Sequence, residues 1–183
     1  NAQSRAIEED LLKANMPFKM VGGQRFYERM EIKDLLAYLR LLVNPTDDFS
    51  FRRVVNAPKR GIGDKSIEKL ALFAEMHSFS LLEAAGSPLN GISGKAGKGL
   101  ADFAQLIADL TKMQEFVTLT DLIEEVMNKS GYITALEQAR TMEADARIDN
   151  MREFLSVAKE FEEQRLDAQA EESPLVQFLT DLS

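Results

Sequence analysis

Cysteine is absent from this sequence of 183 residues, and histidine occurs once, as His77. The first absence excludes disulfides and thiolate metal sites, and the second excludes a histidine-rich metal centre. Long apolar runs are missing as well. The longest, such as Leu41-Leu42-Val43, fall far short of the roughly 20 residues that a bilayer-spanning helix needs. No charged-then-apolar leader opens the chain. The expectation is a soluble protein of a reducing compartment with no membrane partner. The first residue is Asn1 rather than methionine, which reads as a piece cut from something longer. With 45% hydrophobic residues, the length suits one ordinary domain, or one domain plus the edge of a neighbour.

What is present is unevenly charged. The net charge is −8, which on its face argues against a nucleic-acid partner, but binding depends on where the charges sit. Between 49 and 69 stand six bases (Arg52, Arg53, Lys59, Arg60, Lys65, Lys69) and two acids (Asp64, Glu68). Between 137 and 172 stand eleven acids and five bases. The acidic stretch reads as a solvated helix face.

Helical periodicity dominates. Ile32, Leu35, Leu36, Leu39, Leu42 and Val43 keep one face of a long helix apolar until Asn44-Pro45 stops it. Ile148, Met151, Leu155 and Ala158 repeat the pattern, widened by Phe154 and Phe161. Shorter helices are predicted at 4–13, 48–56, 64–76, 80–85, 100–113, 120–129 and 173–182. Ser80 with Glu83 has capping-box spacing, Ser173-Pro174 suits a helix start, and Asp64 suits an N-cap. One short strand, 18–21, ends at Gly22-Gly23. The segment 86–99 holds five of the ten glycines and reads as a loop; 164–172 is polar and reads as a linker.

The most informative segment is Asn56-Ala57-Pro58-Lys59-Arg60-Gly61-Ile62-Gly63-Asp64-Lys65. A helix ends before Pro58, a tight loop with two glycines follows, and a new helix starts near Asp64. Glycines let main-chain amides approach a phosphate closely, and a helix start adds unpaired N–H groups and a positive dipole end. Ile62 can bury and anchor the loop, while Lys59, Arg60 and Lys65 ring it with positive charge. This is the layout of a helix-hairpin-helix grip on a nucleic-acid backbone, blind to base sequence. A plain inter-helix turn is the bland alternative. A weaker second candidate, Ser93-Gly94-Lys95-Ala96-Gly97-Lys98-Gly99, has the glycine separation of a nucleotide-binding P-loop. Leu100 stands where the lysine should follow, however, and no strand precedes it.

No catalytic constellation emerges. The acid pairs Asp47-Asp48, Glu124-Glu125 and Glu162-Glu163 are sequence neighbours and do not share a helix face. His77 reads as a surface or capping residue. Phe26 and Tyr27 could stack on bases, though packing at a helix entry is the plainer reading.

Several blocks in order then carry a resemblance: Asn1-Ala2-Gln3-Ser4-Arg5; Val21-Gly22-Gly23-Gln24-Arg25-Phe26-Tyr27-Glu28-Arg29; Glu31-Ile32-Lys33-Asp34 with Tyr38-Leu39-Arg40-Leu41; Asn56 through Gly63; and, more loosely, Ala146-Arg147-Ile148-Asp149-Asn150. Together they resemble the central region of the UvrD/PcrA/Rep helicases of superfamily 1. The resemblance implies a mainly α fragment: residues 1–27 as the edge of an incomplete RecA-like domain, 2A, with its short strand, and 28–183 as the helical 2B insertion with helix-hairpin-helix-like loops. It implies a parent that hydrolyses ATP with Mg2+ and moves 3′ to 5′ on DNA in a bacterial, nucleoid-associated cytoplasm. This piece carries no ATP-binding motif or cofactor of its own. Duplex contacts carry over to Lys59, Arg60, Gly61, Ile62, Gly63 and Lys65, with Asn1 and Arg5 as weaker contacts. Gly94, Lys95 and Lys98 stay weaker candidates on chemistry alone. Implied partners are duplex, junction or fork DNA, other domains of the same helicase, and repair or replication proteins. The alternative is a protein-interaction or autoregulatory module that works through its acidic helix without touching DNA.

Overall fold

A computed structural model describes residues 23–165 and 172–183. The helix expected at 4–13, the strand at 18–21, the candidates Asn1 and Arg5, and most of the polar stretch 164–172 lie outside the described residues. Within them the regular elements are all helices: α1 (Gly23–Tyr27), α2 (Met30–Val43), α3 (Asp48–Val54), α4 (Asp64–His77), α5 (Leu81–Gly86), α6 (Gly94–Met113), α7 (Leu119–Lys129), α8 (Tyr132–Ala139), α9 (Met142–Gln164) and α10 (Pro174–Leu182).

α2 is the axis. It packs against α1, α3, α6, α7, α9 and α10, and Ile32, Leu35, Tyr38, Leu39 and Leu41 are all but inaccessible. A helix surrounded in this way must be apolar nearly all round. Its two buried acids each find a partner, as buried carboxylates must. Glu31 accepts a hydrogen bond from Asn150 Nδ2 (2.7 Å). Asp34 pairs with Arg53 Nε (2.9 Å) and accepts from the Tyr132 hydroxyl (2.6 Å), tying α3 and α8 to α2. On α9 the buried stripe runs through Ile148, Met151, Phe154, Val157, Ala158 and Phe161.

The chain's punctuation follows its side chains. α2 stops at Val43, before Asn44-Pro45. Ser80 and Glu83 form the expected capping box on α5, and Ser173 caps α10 with Pro174 in the first turn. Asp64 departs from expectation. The N-cap of α4 is Gly63, with no side-chain cap, and Asp64 is the first helical residue. α6 departs further, since it begins at Gly94 rather than Leu100, so half of the supposed glycine loop is helix. The reason is packing. A Cβ on Gly97 would lie 2.3 Å from the Ile92 carbonyl oxygen, and one on Gly99 3.0 Å from that of Arg60. These glycines are contact surfaces that let the helix lie against neighbouring backbone. α1 and α8, of 5 and 8 residues, are too short to leave a periodic signal in the sequence.

Candidate nucleic-acid interface

One side chain organises the loop between α3 and α4. Asn56 Oδ1 accepts hydrogen bonds from the amides of Arg60 and Ile62 (both 3.2 Å), and its Nδ2 donates to the Ile62 carbonyl. The loop is thereby closed on itself and Ile62 driven into the core, where it is 4% exposed. Gly61 at the exposed tip takes φ +77°, in the left-handed region that side chains disfavour.

Arg60, grouped by sequence with the phosphate contacts, is turned inward. Nη1 donates to the Val54 and Val55 carbonyls (both 2.9 Å), and Nη2 donates to Tyr38 Oη (2.7 Å) and the Ser130 carbonyl (3.0 Å). The guanidinium carbon lies 5.0 Å from the Phe103 ring centroid and 6.0 Å from that of Tyr38. Carbonyls at the ends of α3 and α7 have no partner within their own helices, and a planar fork of donors suits them. Tyr38 in turn donates to the Ala57 carbonyl. Burial raises its phenol above the ordinary range, and the Arg60 charge pulls the other way. Ile62 is likewise committed internally, by side chain and amide alike.

What remains outward is backbone and lysine. Among the described residues, the amides of Gly61, Gly63, Asp64, Lys65 and Ser66 have no internal acceptor. Lys59, Lys65 and Lys95 are exposed and pair with no described carboxylate. Lys95, from the first turn of α6, lays its chain over Gly61, since a Cβ there would come within 2.5 Å of Lys95 Cε. Asn56, Lys59, Arg60, Gly61, Ile62, Gly63 and Lys95 line an open cleft of about 840 Å³. Gly63 has ordinary extended backbone (φ −77°, ψ 167°), and a Cβ there would meet nothing within 4 Å. No feature of the described fold demands glycine at that position, whereas a ligand pressed against the backbone would.

The structure thus joins Lys95 of the weaker candidate segment to the stronger one. Gly94 (φ +68°) opens α6. Lys98 points elsewhere, paired with Asp102 at 3.0 Å. The described residues do not fit ATP. The Gly94–Gly99 segment is helix rather than a phosphate loop, and no group of three described acids or histidines could hold Mg2+. Other polar candidates are structural. Asp47 caps α3, Asp48 accepts the Leu81 amide (3.0 Å), and Glu162 accepts the Thr120 amide (2.7 Å). His77 sits exposed at the end of α4, its Nδ1 3.0 Å from the Phe73 carbonyl. Phe26 is buried, and Tyr27 packs edge-on against it and Phe154.

Sequence reasoning did not single out Asn56 or Tyr38, whose hydrogen bonds hold the loop in place. The signal for Asn56 was present, because an asparagine entering a tight turn can accept from backbone a few residues on. For Tyr38 there was none beyond its place in an apolar stripe.

Residues 1–183 match the UvrD-like helicase C-terminal domain family. The chain is 48% identical to the ATP-dependent DNA helicase PcrA of Bacillus subtilis (strain 168), covering 100% of this chain and 24% of that protein. It is 46% identical to the ATP-dependent DNA helicase PcrA of Staphylococcus aureus (strain COL), covering 100% of this chain and 25% of that protein. The chain thus spans about a quarter of the length of the curated relatives it matches.

Proposed function

The chain belongs to the UvrD-like helicase C-terminal domain family, and on that premise we propose that it is the duplex-gripping piece of a longer ATP-dependent DNA helicase. On this reading residues 1–27 are the edge of RecA-like domain 2A and 28–183 its helical 2B insertion. ATP and Mg2+ bind elsewhere in the parent, which works 3′ to 5′ in the bacterial cytoplasm. The loop between α3 and α4 holds the sugar–phosphate backbone of duplex DNA ahead of the fork, without regard to base sequence.

One observation carries the proposal: five amides around two glycines have no internal acceptor among the described residues, in a segment flanked by the exposed Lys59, Lys65 and Lys95. Amides and a helix dipole supply partial positive charge in fixed positions, and the lysines add attraction over distance. The net charge of −8 does not preclude this, because the segment 49–69 carries six bases against two acids while most of the acidic excess lies in 137–172. The test is titration of a labelled hairpin duplex at several salt concentrations. If all three lysines neutralise phosphates, log affinity falls against log salt with a slope of about −3. Weak, sequence-independent binding, lost when the three lysines become alanine, is expected. Absence of binding at low salt would reject the proposal.

A second role is favoured by the acids on α9. In its acidic stretch 153–163, Glu153 and Glu163 are exposed, a face that could dock on basic surfaces of the same motor and restrain it. Removing 28–183 from the parent separates the two roles. Loss of restraint speeds unwinding, and loss of grip slows it.

A further inference from the structure

We infer that Asn56 and Arg60 are positioning residues that shape the loop without touching its ligand. In duplex binding the inference rests on the function proposed above. In loop geometry it stands alone.

Asn56 answers the loop from inside. One oxygen accepts two amides and one amide group donates to the carbonyl between the glycines. These bonds account for the Arg60 and Ile62 N–H groups, so the outward set begins with Gly61 and resumes at Gly63. Arg60 then fixes the closed loop to the body. Its four bonds reach α2 through Tyr38, the end of α3 through Val54 and Val55, and the residue after α7 through Ser130. Phe103 of α6 lies against the guanidinium, and a Cβ on Gly99 of the same helix would come within 3.0 Å of the Arg60 carbonyl oxygen. Loop orientation is therefore set relative to α6, the helix that delivers Lys95. A lysine at position 60 would keep the charge, but its single ammonium could not span acceptors from three places. An arginine that bound phosphate would show the opposite behaviour. Its charge would matter most, and lysine would replace it well.

Two measurements on the 183-residue chain decide the matter. The first is amide hydrogen exchange. The Arg60 and Ile62 amides should be protected in the unaltered chain, lose protection in Asn56→Ala, and keep it in Asn56→Asp, which retains the accepting oxygen. The amides of Gly61, Gly63 and Lys65 should exchange fast throughout. Protection at Arg60 and Ile62 that survives Asn56→Ala overturns the role of Asn56. The second is hairpin-duplex affinity against salt. Arg60→Lys should bind roughly tenfold more weakly with an unchanged salt slope, whereas Lys65→Ala should flatten the slope by about 0.9. If Arg60→Lys binds as the parent chain does while Arg60→Ala flattens the slope, Arg60 is a phosphate contact and its positioning role is wrong. Helical circular dichroism checks each variant. Should Arg60→Lys not fold, Tyr38→Phe removes one of the four acceptors without altering charge, and must show the same affinity loss in smaller measure. Failure of the unaltered chain to bind duplex would instead strike the proposed function. Exchange at Arg60 and Ile62 would then decide Asn56, and exchange at the same amides in Tyr38→Phe, accelerated if Arg60 clamps the loop, would decide Arg60.

Discussion

Asp64 puts a carboxylate beside the amides proposed to hold a phosphate. Were it an N-cap, those amides would occupy its oxygens. Instead it is the first residue of α4, exposed, with Gly63 in the capping position and no side-chain cap. Its charge suits the helix dipole but opposes an incoming anion, and the two effects can be pulled apart. Asp64→Asn should cost about 0.3–1 kcal/mol of stability through the dipole, seen in urea melts. It should also tighten duplex binding roughly threefold at low salt, with the gain shrinking as salt screens it. Unchanged or weaker binding would mean that the phosphate lies away from the start of α4. Arg60 and Lys65 differ in a way that counting charges could not reveal. Both are cations in one short basic segment, yet one answers carbonyls at helix ends inside and the other is exposed. Burial of a guanidinium depends on where α3 and α7 end in space, and that information is spread over residues 38 to 130.

The helices that carry long apolar stripes, α2 and α9, were legible because burial on one or more faces leaves a period in the sequence. The capped ends at Ser80 and Ser173 were legible because capping is local chemistry. α6 was misread for the converse reason. Glycine is a poor helix former by about 1 kcal/mol relative to alanine, so Gly94, Gly97 and Gly99 signalled a loop. In the fold that cost is offset by close approach: Gly97 leaves room for the Ile92 carbonyl, and Gly99 for Arg60 and Ile62. A consequence follows for α6 as an element. Gly97→Ala, which raises helix propensity, should nonetheless destabilise the chain by about 1–3 kcal/mol, because its Cβ would sit 2.3 Å from a backbone oxygen. A lower urea midpoint checks this. A midpoint raised by alanine would show that the start of α6 is free to shift, and that Lys95 is not held over the loop.

For the whole molecule, the loop is only as rigid as the network beneath it, and that network runs through two buried phenols. Tyr38 receives Arg60, and Tyr132 donates to Asp34, which pairs with Arg53. Burial raises both phenols above the ordinary tyrosine range; for Tyr132 the neighbouring Asp34 adds to the rise. In the unfolded chain a tyrosine ionises near pH 10. Above that pH the unfolded state has released protons that the folded state still holds, so stability must fall as pH rises. The contribution is intact below pH of about 10 and is lost progressively until the folded phenols ionise in their turn. Urea midpoints between neutral and strongly alkaline pH should therefore drop steeply past the tyrosine range. Tyr132→Phe should flatten that drop by up to about 1.4 kcal/mol per pH unit, one proton's worth. At neutral pH it should cost about 1–3 kcal/mol, because Asp34 loses a buried donor. If the alkaline slope of Tyr132→Phe matches that of the unaltered chain, the phenol titrates as freely folded as unfolded. The hydrogen bond that joins α8 to α2 would then contribute nothing to the frame behind the loop.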